Sequence, residues 1–75
     1  MTRIRAGYVD WEAFGAAAQV RMRRSGLSLR QLSARSGVAV STIRRVWAGG
    51  GMTADAWAAL LAVLGLDPRD YLRRS

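Results

Sequence analysis

The sequence predicts an all-α domain of five helices, and three features support this fold class. Start signals for helices recur along the chain, each an N-cap position flanked by two apolar residues that can pack on each other. Between these signals the apolar residues recur at helical spacing, and glycines follow most of the segments. The 75 residues suffice for one small domain, near the lower size limit for a core without disulfides.

The first helix is expected over residues 11–24, after a basic N-terminal arm of residues 1–10. Asp10 can act as its N-cap residue, because a short carboxylate accepts hydrogen bonds from the first helical N–H groups. The folded domain then covers residues 11–75. The apolar stripe of this helix consists of Trp11, Phe14, Ala18 and Met22.

The second helix is expected over residues 29–35. Ser28 and Gln31 form a capping box, in which the side chain of each residue accepts a hydrogen bond from the backbone N–H of the other. Gly37 suits the left-handed position that ends many helices. This helix is therefore short, with about two turns.

The third segment allows two readings, because residues 37–50 begin with β-branched residues that suit a strand. A strand would point the adjacent Arg44 and Arg45 to opposite faces, whereas a helix over residues 40–48 keeps them on one side. The helix is therefore favoured. Its weak point is Ala39, since an N-cap residue without a side-chain oxygen costs about 1 kcal/mol.

The last two helices are expected over residues 54–64 and 68–73. Thr53 caps the first of them, and Gly65 ends it. The dipeptide Asp67-Pro68 starts the second, because proline is favoured at the first helical position and an acid at the N-cap.

The charge is unevenly distributed along the chain. The net charge is +7, and all twelve basic residues are arginines. Residues 13–54 contain no acid, and a surface of one sign on a small domain indicates a polyanionic partner. A GC-rich genome would explain arginine in place of lysine, but it would not explain the missing acids. The arginines of this segment are Arg21, Arg23, Arg24, Arg30, Arg35, Arg44 and Arg45.

The composition argues against several other functions. The chain has no histidine, cysteine or lysine, so no pair of nucleophile and base is visible, and an enzyme is not expected. No metal site and no cofactor are expected either. The longest apolar run, residues 57–66, is too short to cross a bilayer, so a cytoplasmic protein without a membrane partner is expected.

The spacing of the second and third helices is that of a helix-turn-helix at about residues 29–48. The sequence here resembles the Cro/phage-repressor (XRE-type) helix-turn-helix family. The resemblance implies a compact, repressor-like DNA-binding domain of five helices, whose third helix enters the major groove. The residues that carry it are Gly26-Leu27-Ser28, Leu32-Ser33, Gly37-Val38, Ser41-Thr42-Ile43, Gly49 and Leu64-Gly65-Leu66-Asp67-Pro68.

The sequence departs from the family pattern at three positions. Leu29 stands where the family usually has a glutamine that helps to hold phosphate, and Ala39 replaces the usual polar N-cap of the third helix. Trp47 replaces the acid that usually precedes the next loop, which removes a negative charge close to the expected DNA surface.

Four residues of the third helix are expected to contact DNA bases: Val40, Ser41, Arg44 and Arg45. An arginine there can donate two hydrogen bonds to O6 and N7 of guanine, which is worth about 1–3 kcal/mol of discrimination. Val40 could meet only a thymine methyl group. One of the two arginines could instead contact only phosphate or solvent.

A second set of residues is expected to contact phosphate: Ser28, Arg30, Thr42, Gly49 and Gly50. Ser28 and Arg30 lie at the start of the second helix, where the helix dipole favours anions. The backbone N–H groups of the glycines could approach phosphate, although the glycine run could also serve only as a flexible connection.

These expectations lead to two hypotheses of function. The first is a sequence-specific regulator of transcription that binds double-stranded DNA, a repressor acting as a weak homodimer on a palindromic operator. Its dimer contact is expected at Leu66, Tyr71 and Leu72. The alternative is a protein-interaction adaptor or antitoxin-type module with the same fold, whose contact surface for a protein partner is Trp47 and the C-terminal helix.

Overall fold

The structure, a computed structural model, describes residues 7–74. The expectation of a mostly helical domain is confirmed, but the expectation of five helices was wrong. The described residues form four α-helices, one 3-10 helix and a two-stranded antiparallel sheet. In chain order, the elements are β1 (Gly7–Val9), α1 (Trp11–Arg24), α2 (Leu29–Ser36), α3 (Val40–Trp47), α4 (Ala54–Leu64), the 3-10 helix Pro68–Asp70 and β2 (Leu72–Arg74).

The ends of the α-helices follow from local capping. The Asp10 carboxylate accepts a hydrogen bond from the Ala13 N–H at 3.0 Å, and the Thr53 hydroxyl accepts one from the Ala56 N–H at 3.2 Å. Helix α2 continues one residue beyond its predicted end, to Ser36, before the chain turns at a left-handed glycine. Helix α3 ends one residue earlier than predicted, at Trp47.

The predicted fifth helix, residues 68–73, is the main error of the sequence analysis. Helical structure stops at Asp70. The Tyr71 carbonyl then accepts a hydrogen bond from the Asp10 N–H at 2.7 Å, and the Tyr71 ring packs edge-on against Phe14. Six residues give a helix few hydrogen bonds, whereas pairing with another strand satisfies the same backbone groups. Burial raises the pKa of the Tyr71 hydroxyl, with a smaller contribution from Asp70.

Part of the expected N-terminal arm belongs to the folded domain. Gly7 pairs with Arg74 and Val9 pairs with Leu72, so β1 and β2 form a ribbon. The guanidinium of Arg73 lies 3.3 Å from the carboxylate of Asp10, on the segment that follows β1. The rest of the expected arm, residues 1–6, lies outside the described residues.

One side of each α-helix packs into the hydrophobic core. The largest fully buried side chains are Phe14, Leu32, Ile43, Val46 and Leu60. Trp11, Trp57 and Tyr71 surround Phe14 with edge-to-face contacts at centroid distances of 5.4 to 6.3 Å. Within residues 7–74, no helix is long and apolar enough to cross a membrane.

Helix α1 supports α3 by a close backbone approach. A Cβ atom built on Gly15 would lie 2.5 Å from the carbonyl oxygen of Val46, closer than real Cβ atoms come. Any larger residue at position 15 would therefore push α3 away. This contact sets the depth at which α3 lies on the domain.

Candidate nucleic-acid interface

The turn between α2 and α3 is held by two serine side chains, Ser33 and Ser36, for which no hydrogen-bonding role was predicted. The Ser33 hydroxyl donates to the Val38 carbonyl at 2.6 Å, and the Ser36 hydroxyl donates to the Leu32 carbonyl at 2.8 Å. The Val38 N–H in turn donates to Ser36 Oγ at 3.1 Å. With Gly37 at φ 77°, these bonds fix the direction in which α3 leaves the turn.

Helix α3 has a buried side and an exposed side. Ile43 and Val46 are fully buried, while Ser41, Arg44 and Arg45 are exposed. The helical period explains this division, because Arg45 lies one turn beyond Ser41, on the side away from Ile43. The structure therefore brings three of the four residues predicted to contact bases onto one exposed surface.

The fourth predicted base contact, Val40, lies at the edge of this surface. It is half-buried at the first turn of α3. Trp47, at the other end of the helix, is half-buried as well and lines a groove of about 230 Å³ with Glu12 and Gln19 of α1. Val40 and Trp47 are seven residues apart, so they lie along the same edge of α3, and this edge is partly covered, whereas Ser41 and the two arginines are exposed.

Arg44 and Arg45 differ in their surroundings. Within residues 7–74, neither arginine has an ion pair. The stem of Arg45 lies over the α3–α4 loop, where a Cβ atom added to Gly50 would be 2.7 Å from its Cγ atom. Arg45 also lines a groove of about 380 Å³ together with Thr42 and Asp55. Arg45 is therefore placed by neighbouring atoms in a way not seen for Arg44.

The residues predicted to hold phosphate at the start of α2 are both exposed. The Ser28 hydroxyl accepts a hydrogen bond from the Gln31 N–H at 3.1 Å, and Gln31 Oε1 accepts one from the Ser28 N–H at 2.8 Å. The predicted capping box is therefore present. It uses the backbone N–H of Ser28 and leaves its hydroxyl proton and the Arg30 guanidinium for another partner.

The two glycines predicted to donate to phosphate have their N–H groups engaged at the end of α3. The Gly49 N–H donates to the Val46 carbonyl and the Gly50 N–H to the Arg45 carbonyl, both at 2.9 Å. A phosphate contact through these N–H groups would require the loop to give up these bonds. Thr42, the remaining predicted contact, is half-buried in the groove beside Arg45.

Arg21 has a role that the sequence analysis did not predict. Its guanidinium donates to the Leu64 carbonyl at 3.0 Å, and the Gly65 carbonyl is 3.5 Å away. These carbonyls end α4, where the helix dipole attracts cations. Arg21 therefore joins α1 to α4, and the positions of Arg21 and Leu64 along the chain did not predict this contact.

The segment of the sequence without acidic residues includes both α2 and α3. Residues 13–54, which contain no acid, form most of α1, all of α2 and α3, and the loop before α4. Asp55, the first acid after this segment, lies in the groove beside Arg45. The exposed side of α3 thus carries two arginines in a part of the chain without compensating acids, which favours an anionic partner.

Residues 13–73 match a family model described as a helix-turn-helix domain. This range contains all four α-helices except the first two residues of α1. Neither the curated proteins nor the solved structures gave a match to the chain.

Proposed function

Because this chain belongs to the helix-turn-helix domain family, which is typical of DNA-binding regulators, we propose that it is a transcriptional repressor that recognises a specific sequence of double-stranded DNA. The observation that carries the proposal is the division of α3. Ile43 and Val46 hold the helix on the domain, while Ser41, Arg44 and Arg45 point outward. A helix with one buried side and one exposed basic side suits insertion into the major groove.

The dimensions of α3 support this mode of binding. Its eight residues span about 12 Å, at about 1.5 Å per residue. The major groove of B-DNA is about 12 Å wide and admits a helix, whose diameter with side chains is about 10–12 Å. Because base pairs follow each other at about 3.4 Å, a helix of this length presents its outward side chains to a few neighbouring base pairs. We assign base contacts to Val40, Ser41, Arg44 and Arg45, with guanine as the partner of the arginines.

Phosphate contacts at the start of α2 would orient α3 in the groove. Ser28 and Arg30 are exposed there, and the N-terminal end of α2 carries the partial positive charge of the helix dipole. Such contacts position a protein on DNA without reading its sequence. We therefore assign affinity to this helix end and sequence preference to α3.

Repression would follow from occupancy of the operator in the cytoplasm. In this proposal a bound copy blocks access of other proteins to the same stretch of DNA. Binding rather than catalysis is the proposed activity.

We also propose that the protein binds as a weak homodimer, with one copy on each half of a palindromic site. Tyr71 cannot serve this contact as the sequence analysis expected, because it is only 7% exposed and packs against Phe14. Leu72 is 48% exposed and Leu66 is half-buried, so these two residues remain for the dimer surface. Sedimentation of the protein with its operator tests this, and one copy per complete operator would contradict it.

The decisive experiment is selection of binding sites from a library of random duplexes, followed by titration with salt. We expect one enriched sequence with guanines at defined positions. Affinity should also fall steeply with salt, because each neutralised phosphate releases condensed counterions and contributes about −0.9 to the slope of log K against log salt. No enriched sequence, together with an affinity independent of salt, would favour the adaptor hypothesis instead.

A further inference from the structure

Gly50 touches both the side chain and the backbone of Arg45. A Cβ atom at position 50 would lie 2.7 Å from Cγ and 3.2 Å from Cδ of Arg45, and 3.1 Å from its carbonyl oxygen. That same carbonyl accepts the Gly50 N–H at 2.9 Å. The arginine stem therefore lies in the space that any larger residue at position 50 would fill.

The backbone does not require a glycine at this position. The glycines with positive φ in the described chain are Gly26, Gly37, Gly49 and Gly65, and Gly50 is not one of them. Its backbone conformation is therefore one that other residues can adopt. The closest obstacle to a side chain at position 50 is the stem of Arg45, at 2.7 Å, and the Arg45 carbonyl oxygen, at 3.1 Å, is the next.

This contact limits the directions that Arg45 can take. An arginine has four rotatable side-chain bonds, and a free one must lose that freedom when it binds a base. Contact with Gly50 holds the stem over the α3–α4 loop. This is the side of α3 that carries Thr42 and lines a groove with Asp55. Two hydrogen bonds to one guanine need a planar alignment, so the direction of the stem decides which base edge is reached.

We propose that Gly50 is a positioning residue, which sets the orientation of Arg45 and thereby the base preference at the position that Arg45 reads. This inference rests on the proposed function, since it needs Arg45 to contact a base. It also gives Gly50 a role in sequence preference, in place of the phosphate contact expected from the sequence.

Gly49 provides a matched control in the same loop. Its φ is 95°, so alanine there is strained by the backbone, yet a Cβ atom would meet nothing within 4 Å. Gly49→Ala should therefore lower stability without touching Arg45. Gly50→Ala should displace Arg45 without the same backbone strain.

The test uses the full chain and the duplex enriched by the wild-type protein, with each guanine replaced in turn. Gly50→Ala should reduce the preference for guanine at one base pair by about tenfold. Its affinity for a random duplex should stay within about twofold of wild type. Gly49→Ala should keep the wild-type preference at every position. Equal losses of Gly50→Ala on the enriched and random duplexes would overturn the proposal.

A double-mutant cycle shows whether Gly50 acts through Arg45. In the Arg45→Ala background the clashing Cγ and Cδ atoms are gone and only the approach to the carbonyl oxygen at 3.1 Å remains. Adding Gly50→Ala should therefore cost less stability there than in the wild type and should not change base preference. In the Arg44→Ala background, Gly50→Ala should keep its full effect. If Gly50→Ala fails to fold alone but the double variant with Arg45→Ala folds, the clash with the stem is supported. If both fail to fold, the proposal is wrong.

An NMR measurement on the free protein separates this inference from the proposed function. The Nε–Hε signal of Arg45 should shift in Gly50→Ala, while the signal of Arg44 stays in place. An unchanged Arg45 signal would refute the positioning role. A wild-type protein without any base preference would refute the proposed function. It would also refute the proposal that Gly50 sets the base preference through Arg45.

Discussion

Helices α2 and α3 have the same length, eight residues each, but they are stabilised in different ways. Helix α2 is closed at both ends by its own sequence, with the capping box of Ser28 at the start and the left-handed Gly37 at the end. Helix α3 has no side-chain cap at Ala39, and it buries two side chains completely, Ile43 and Val46, where α2 buries only Leu32.

The difference explains why α3 is the helix suited to a partner. A helix that is stabilised by burial of one side needs no polar bonds on the other side. The outward residues of α3, Ser41, Arg44 and Arg45, therefore remain available. In α2, by contrast, the exposed polar residues at the start are partly used to hold the helix itself.

The largest effect should come from removing the buried contact of α3. Ile43→Ala should lower the free energy of unfolding by about 2–5 kcal/mol, because it deletes buried methyl groups and leaves a cavity. Urea denaturation measures the change. Ser41→Ala, on the exposed side of the same helix, is the control and should stay within about 0.5 kcal/mol of wild type. A similar loss in both variants would contradict the division of α3 into two sides.

The next effect concerns binding rather than folding. Arg44→Ala and Arg45→Ala should leave the unfolding transition unchanged, because both side chains are exposed. At least one of them should cost about 1–3 kcal/mol on the enriched duplex and relax its preference for guanine. Arg30→Ala, at the start of α2, should weaken enriched and random duplexes together. Titrations on both duplexes distinguish these results, and proportional losses in all three variants would make every arginine a phosphate contact.

A smaller change should follow from opening the capping box of α2. Ser28→Ala removes the hydroxyl that accepts the Gln31 N–H, and the free energy of unfolding should fall by about 0.5–2 kcal/mol. Ser28→Gly should lower the free energy of unfolding by only a few tenths of a kcal/mol, because glycine tolerates the N-cap conformation. Thermal unfolding of the two variants gives the comparison. A Ser28→Ala variant as stable as the wild type would mean that the capping box does not stabilise α2, and that α2, like α3, depends on burial.

The smallest effect should be a gain. Ala39 is exposed and has extended backbone angles, φ −59° and ψ 144°, which suit an N-cap residue. Ala39→Ser adds the missing oxygen and should raise the free energy of unfolding by up to about 1 kcal/mol. Ala39→Val is the control, since it adds atoms without an acceptor. Equal stability of the serine and valine variants would show that the first turn of α3 needs no cap.

The sequence predicted the α-helices well because their ends depend on nearby residues. Asp10, Ser28 and Thr53 cap helices as expected, and α1 and α4 have the predicted bounds. The ribbon could not be predicted in the same way. Its two strands have three residues each and come from opposite ends of the described chain, so neither carries a pattern of its own. The packing of Tyr71 against Phe14 places β2 next to β1, and this contact joins residues far apart in the sequence.

The candidate site shows the same limit. Helical spacing was enough to predict that Arg44 and Arg45 lie outward, since that follows from their positions relative to Ile43. It could not predict that Arg45 lies against Gly50 or that Arg21 binds the last carbonyls of α4. These contacts arise where separate segments of the chain meet. They give different surroundings to arginines that the sequence alone does not distinguish.

The ribbon of β1 and β2 also determines how the protein responds to mechanical force. Gly7 and Arg74 are directly paired, so a pull on these two residues acts at one end of an antiparallel pair. The hydrogen bonds of the ribbon are then loaded one after another, as in opening a zipper, rather than all at once as in shear. The ribbon is consequently the first part to open under tension, and the bond between Asp10 and Tyr71 is the next to bear the load.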